Sequence, residues 1–162
     1  MTTAEYNLCV DNHADNVYRF VLKSIGDRER AQDIVQEAFT RMWEKAGDIS
    51  SAKARSYLFT TAYHAMIDDI RREKRVTPLD EVHYTYAPAT RHGYSDLKEV
   101  IDEALSRLTD IQKTVVILRD YEGYSYEEIG EITGLNESQV KVYIYRARLA
   151  LKNYIGHLDR VI

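Results

Sequence analysis

The sequence predicts an all-α protein made of two small helical domains joined by a flexible linker. Three observations lead there. Apolar residues recur at helical spacing through most of the chain, and no stretch alternates as a strand does. Both prolines, Pro78 and Pro88, fall with Gly93 in an aperiodic stretch from Val76 to Ser95. The last sixty or so residues carry two successive helix-start signals with a glycine between them.

In chain order, a helix from roughly Tyr6 to Ser24 directs Val10, Val17, Phe20, Val21 and Ile25 toward a core. The next, Asp27 to Ala46, repeats the i, i+3, i+4, i+7 pattern at Ala31, Ile34, Val35, Ala38, Phe39, Met42 and Trp43. Gly47-Asp48-Ile49-Ser50-Ser51 breaks it. A third helix, about Lys53 to Arg75, carries Leu58, Phe59, Ala62, Met66 and Ile70 inward. These three make a first domain, residues 1–75, followed by a linker at 76–95. The second domain, 96–162, opens with Leu97, Val100, Ile101, Ala104, Leu105 and Leu108 on one helix face. Thr109 with Gln112 offers a capping box to a helix that Glu122-Gly123 ends.

Ser125 and Glu128 then form a second capping box, Gly134 suits a left-handed helix end, and Asn136 with Gln139 can start the last helix. A short capped helix, a glycine turn and a longer cation-bearing helix form a helix-turn-helix, whose second helix enters the DNA major groove.

Composition bounds the function. With 44% hydrophobic residues the chain can build ordinary cores. The single cysteine, Cys9, excludes an intramolecular disulfide and a Cys-rich zinc module, which fits a reducing cytoplasm. The N-terminus has no signal-peptide pattern, and no apolar run reaches the length of a membrane span. Net charge is -4, yet its distribution is uneven. Residues 51–75 hold six Lys/Arg against three Asp/Glu, and residues 135–162 hold five against two, each a local +3. Residues 101–134 hold three against eight, a local −5. Since salt screens beyond about 10 Å, two basic faces can meet DNA on an acidic protein.

Projected at about 100° per residue, the last helix turns Val140, Tyr143, Ile144, Ala147 and Leu151 inward. Ser138, Lys141, Val142, Tyr145, Arg146 and Leu149 lie opposite, flanked by Arg148 and Lys152. Apolar groups can meet thymine methyls there while cations meet bases or phosphates. The 53–75 helix turns Tyr57, Thr60, Thr61, His64, Asp68, Arg71 and Arg75 outward, with Arg72 in the same basic cluster. Such a face can hold unstacked bases and grip phosphate. His64 and Asp68 stand at i, i+4, but no third ligand lies at motif spacing, so no metal site is expected. On the 27–46 helix, Asp33, Gln36, Glu37, Arg41 and Glu44 are polar and face solvent.

Three segments carry a family resemblance. Ala31-Gln32-Asp33-Ile34-Val35-Gln36-Glu37-Ala38-Phe39 followed by Trp43 resembles the core-polymerase-binding helix of bacterial sigma factors. Tyr57-Leu58 through Asp68 to Arg71-Arg72-Glu73-Lys74-Arg75 resembles the helix that reads and helps open the −10 promoter element. Glu128-Ile129, Gln139-Val140-Lys141 and Arg146-Ala147-Arg148 resemble the −35-reading helix-turn-helix. With only these two domains, regions 2 and 4, the chain is similar to the extracytoplasmic-function (ECF) group of the sigma-70 family. It departs from the family at Tyr57, often Trp; at His64, often Asn; at Thr109, commonly Pro; and at Val142 and Tyr143, commonly Ser and Arg. Gly130 stands where Ala is usual, at an expected cost of about 1 kcal/mol in helix propensity.

The resemblance implies a division of labour. Asp33, Gln36 and Glu37 dock on the clamp helices of the polymerase β′ subunit. The 53–75 helix and the 46–52 loop capture flipped bases of the −10 element through Tyr57, Thr60, Thr61, His64, Asp68, Arg71, Arg72 and Arg75, with Phe59 and Tyr63 as further stacking or supporting aromatics. Ser138, Lys141, Val142, Tyr145, Arg146, Arg148 and Lys152 serve the −35 element. The linker threads through the polymerase. An anti-sigma factor, often membrane-bound, is the expected inhibitor; no cofactor and no catalysis are expected. Two other readings are a sigma mimic that titrates an anti-sigma factor and a stand-alone helix-turn-helix regulator. The retained cations Lys141, Arg146 and Arg148 argue against the first, and the separate N-terminal domain against the second.

Overall fold

A computed structural model of the chain describes residues 1–76 and 95–161. The described residues form two compact units, one with three α-helices and one with four, and contain no strand. The expected 76–95 linker falls almost wholly outside the described residues.

In the first unit α1 spans Thr3–Ile25, α2 Arg28–Glu44 and α3 Ala54–Val76, with two 3-10 turns, Ala46–Asp48 and Ser51–Lys53, between α2 and α3. The first helix starts a turn earlier than its apolar pattern, because Thr2 and Glu5 close a capping box: each side chain accepts the other's backbone N–H, at 3.1 and 2.8 Å. Gly26 ends α1 in the left-handed region at φ 73°, and Asp27 at once caps α2 by accepting from Arg30 N–H at 3.1 Å. So two residues turn one helix into the next. Val17, Phe20 and Val21 of α1, Ala31, Ile34, Ala38 and Met42 of α2, and Leu58, Phe59, Ala62 and Met66 of α3 fill the core. Phe20 and Phe59 meet at its centre with ring centroids 5.6 Å apart. Each of the larger apolar side chains among them contributes about 1.5–3 kcal/mol by leaving water.

In the second unit α4 spans Ser95–Ser106, α5 Asp110–Val116, α6 Tyr126–Thr133 and α7 Glu137–Val161. The Thr109–Gln112 and Ser125–Glu128 capping boxes both form, starting α5 and α6. A single π-helical turn, Ile117–Tyr121, prolongs α5, closed by Glu122 N–H to the Ile117 carbonyl at 3.1 Å. Leu105 and Leu108, Val115 through Leu118, Tyr124, Ile129 and Ile132, and Val140, Ile144 and Ala147 form this core.

Two expected core residues are exposed instead. Trp43 is half-exposed at the end of α2, its ring edge against Tyr6 at 4.9 Å, and Leu97 is exposed in the first turns of α4. Both sit near helix ends, where fewer neighbouring side chains are available to cover the apolar stripe.

Candidate nucleic-acid interface

The α6–α7 hairpin is set by local chemistry. Gly134 leaves α6 at φ 81°. Asn136 and Gln139 then exchange side-chain-to-backbone hydrogen bonds of 3.0 and 2.8 Å, which starts α7. The turn folds back so closely that a Cβ built on Gly130 would lie 2.7 Å from the Leu135 carbonyl oxygen. The expectation that Gly130 merely weakens α6 is thereby corrected: its missing side chain makes room for the turn.

On α7, Ser138, Lys141, Val142, Tyr145, Arg146, Arg148, Leu149 and Lys152 are all exposed, Tyr145 the most of the apolar members at 67%. Tyr143 and Leu151, placed inward from the sequence, are half-buried. The cations differ in what they touch. Lys141 lies 3.4 Å from Glu137 and 5.6 Å from the centre of the Tyr126 ring, over which Arg119 also sits, at 4.6 Å. Arg148 forms a two-pronged pair with Asp120, Nε to Oδ2 at 3.1 Å and a terminal nitrogen to Oδ1 at 2.5 Å. That hydrogen bond is the main reason its pKa is pushed up further. Arg146 and Lys152 have no ion-pair partner among the described residues.

On α3, His64, Asp68, Arg71, Arg72 and Arg75 are exposed, while Tyr57 and Thr60 are partly covered. Thr61 does not belong with them. It is buried, because it follows Leu58 by three residues and so shares the core-facing side. Phe59 is fully buried and Tyr63 nearly so, hence both support the face from beneath and neither can stack on a base. Asp69, beside the outward Asp68, turns to α2 and takes a two-pronged ion pair from Arg30; Arg72 approaches the same carboxylate at 3.6 Å. Arg75 donates to the Arg71 carbonyl at 3.3 Å.

On α2, Asp33, Gln36 and Glu37 are exposed along one face, with Glu37 held by Arg41 one turn on at 2.5 Å. Sequence reading passed over Asp120, Arg119 and Tyr126, which shape the electrostatics around α7. Asp120 and Arg148 stand 28 positions apart, and no local pattern joins them. Among the described residues, no helix is long and apolar enough to cross a membrane.

Two helical units, the second a capped helix-turn-helix with an outward cationic helix, have the architecture of a DNA-directed transcription factor. Family models agree on the kind: "Sigma-70 region 2" matches residues 9–76 and "Sigma-70, region 4" matches residues 98–151. The RNA polymerase sigma factor SigV of Bacillus subtilis is 29% identical over 143 residues, spanning 86% of this chain and 84% of that protein. The ECF RNA polymerase sigma factor SigW of the same organism is 30% identical over 164 residues, spanning 92% and 88%. A solved structure of the sigma factor RpoE in complex with the anti-sigma factor NepR, from Bartonella quintana, shares the fold with a TM-score of 0.77. It is 23% identical, over 91% of this chain and 94% of that one. The chain belongs to the ECF group of the sigma-70 family of RNA polymerase sigma factors. It is accordingly a transcription-initiation factor that directs polymerase to promoters.

Proposed function

We propose that the two units divide promoter recognition as follows. The α2 face of Asp33, Gln36 and Glu37 docks on the clamp helices of the polymerase β′ subunit. The outward side of α3, with Tyr57, Thr60, His64, Asp68, Arg71, Arg72 and Arg75, engages the −10 element and its opened strand. On α7, Ser138, Lys141, Val142, Tyr145, Arg146 and Lys152 engage the −35 element; Arg148, expected among them from the sequence, is instead taken up by the Asp120 carboxylate. The protein works in the cytoplasm without a catalytic step of its own, and an anti-sigma factor holds it inactive by covering these faces. The observation that carries the reading is the exposed α7 face, where a tyrosine and two aliphatic residues lie among cations; water alone would not favour that mixture.

Reconstituted transcription tests it. Because the net charge is -4 and the basic faces are small, the free chain binds promoters weakly at physiological salt, whereas the holoenzyme binds them specifically. Arg146→Ala costs about 1–3 kcal/mol of promoter binding and relaxes preference at one −35 position. His64→Ala reduces permanganate-detected strand opening more than recruitment. Asp33→Arg with Glu37→Arg abolishes core binding and leaves the melting temperature nearly unchanged, since both residues are exposed. Specific nanomolar binding by the free chain, or undiminished core binding by the double variant, overturns the reading.

A further inference from the structure

Along α7, Lys141, Tyr145, Arg148 and Lys152 follow one another at i, i+4, i+7 and i+11, so they form a single exposed stripe. Arg148 is the member of this stripe with a fully made carboxylate partner: both prongs of its guanidinium are taken by Asp120. The carboxylate is placed by the backbone. The wide π-helical turn Ile117–Tyr121 adds a residue to the end of α5, and the Arg119 side chain on that turn donates to the Tyr124 carbonyl at 2.9 Å, holding the turn against the start of α6. The pair is exposed, 48% and 40% by side chain, and is therefore worth little to the stability of the fold. Its weight lies in electrostatics. It cancels one positive charge in the middle of the stripe.

We propose that Asp120 restrains sequence-independent DNA binding: by holding Arg148 it keeps that cation off the DNA backbone and lowers the affinity of the α7 face for any duplex. The proposal rests on the assignment of α7 to the −35 element. DNA affinity gained from phosphate contacts is the same for every sequence, so each cation withheld from phosphate lowers binding to wrong sites without lowering discrimination. Arg146, on the other flank of the outward face and without an ion-pair partner among the described residues, is left to read a base.

Holoenzyme reconstituted with each variant is titrated with salt on duplexes that carry or lack the −35 element. Asp120→Asn, nearly the same shape without the charge, frees Arg148 for one phosphate. It steepens the slope of log K against log salt by about 0.9 and raises affinity for the element-less duplex roughly five- to tenfold at 0.1 M salt. Asp120→Ser does the same. Arg148→Ala alone leaves the slope unchanged and, combined with Asp120→Asn, returns it to the wild-type value. A structural role alone would lower the melting temperature and leave the slope where it was. An unchanged slope in both Asp120 variants overturns the proposal, as does a loss of about 0.9 in Arg148→Ala, which would mean Arg148 already sits on a phosphate. Arg146→Ala is the control for the underlying assignment. If it leaves −35 preference intact, that assignment fails, whatever the Asp120 variants do.

Discussion

At Gly130 two demands conflict. Inside an exposed helix, alanine is favoured over glycine by about 1 kcal/mol. Here the Leu135 carbonyl oxygen occupies the space, 2.7 Å from where a Cβ would sit, and backbone does not yield cheaply. Gly130→Ala should therefore lower stability, by about 1–3 kcal/mol, in urea unfolding followed by far-ultraviolet circular dichroism. A gain in stability would mean the turn can open without cost. His13 poses a different residue-scale question. Burial first, and Arg55 second, lower its pKa, so folding favours the neutral imidazole over the charged one. The unfolded chain then binds more protons than the folded one as pH falls through about 6.5, and this contribution to stability is present above that value and lost below it. Between pH 7 and 5 the wild type should lose stability more steeply than His13→Gln. Parallel profiles would sink the idea.

The helices show which signals travel in a sequence. Capping boxes at Thr109–Gln112 and Ser125–Glu128, and the Asn136 start, were legible because each is an exchange between residues three apart. The Thr2–Glu5 box was missed only because apolar periodicity begins after it. Periodicity gives direction but not depth, which is why Trp43 and Leu97 were placed in cores they do not enter, and why Thr61 was turned outward. The π turn depends on hydrogen bonds that reach a residue further than usual, such as Glu122 N–H to the Ile117 carbonyl, and no side-chain pattern encodes that. Pairs such as Arg30–Asp69 and Asp120–Arg148 are made by tertiary packing, so the α3 and α7 faces were readable as surfaces while their internal charge pairing was not. Neighbouring aspartates on α3 make this measurable. Asp69→Ala leaves the partly covered Arg30 without its carboxylate and should cost about 1–3 kcal/mol of stability. Asp68→Ala should cost little stability and instead impair initiation from promoters with an intact −10 element. Exchanged phenotypes would show that the two carboxylates have each other's roles.

For the whole molecule, chain length between the units sets a limit. Residues 76–95 reach at most about 70 Å at roughly 3.3–3.6 Å per residue. Elements centred near −10 and −35 lie about 25 steps apart, roughly 85 Å at 3.4 Å per step. Each domain covers about 10–13 Å of that distance from its own centre. Removing about ten residues from 80–92 should then abolish most initiation at two-element promoters while both units stay folded. Adding about ten flexible residues should be tolerated far better, because loop entropy grows only with the logarithm of length. Full activity of the shortened chain would mean that one molecule does not bridge both elements.

Trp43, left half-exposed at the end of α2, is also the only indole in the protein, and it follows Gln36 by seven residues, two turns along the same face. That position makes it an optical reporter. An indole in contact with water emits at longer wavelength than one shielded by a partner. With 5-hydroxytryptophan in its place, which can be excited apart from the polymerase's own tryptophans, docking along the Asp33–Glu37 face should shift emission to shorter wavelength and protect it from iodide quenching. An unaltered spectrum on forming holoenzyme would put the edge of the polymerase contact short of the last turn of α2.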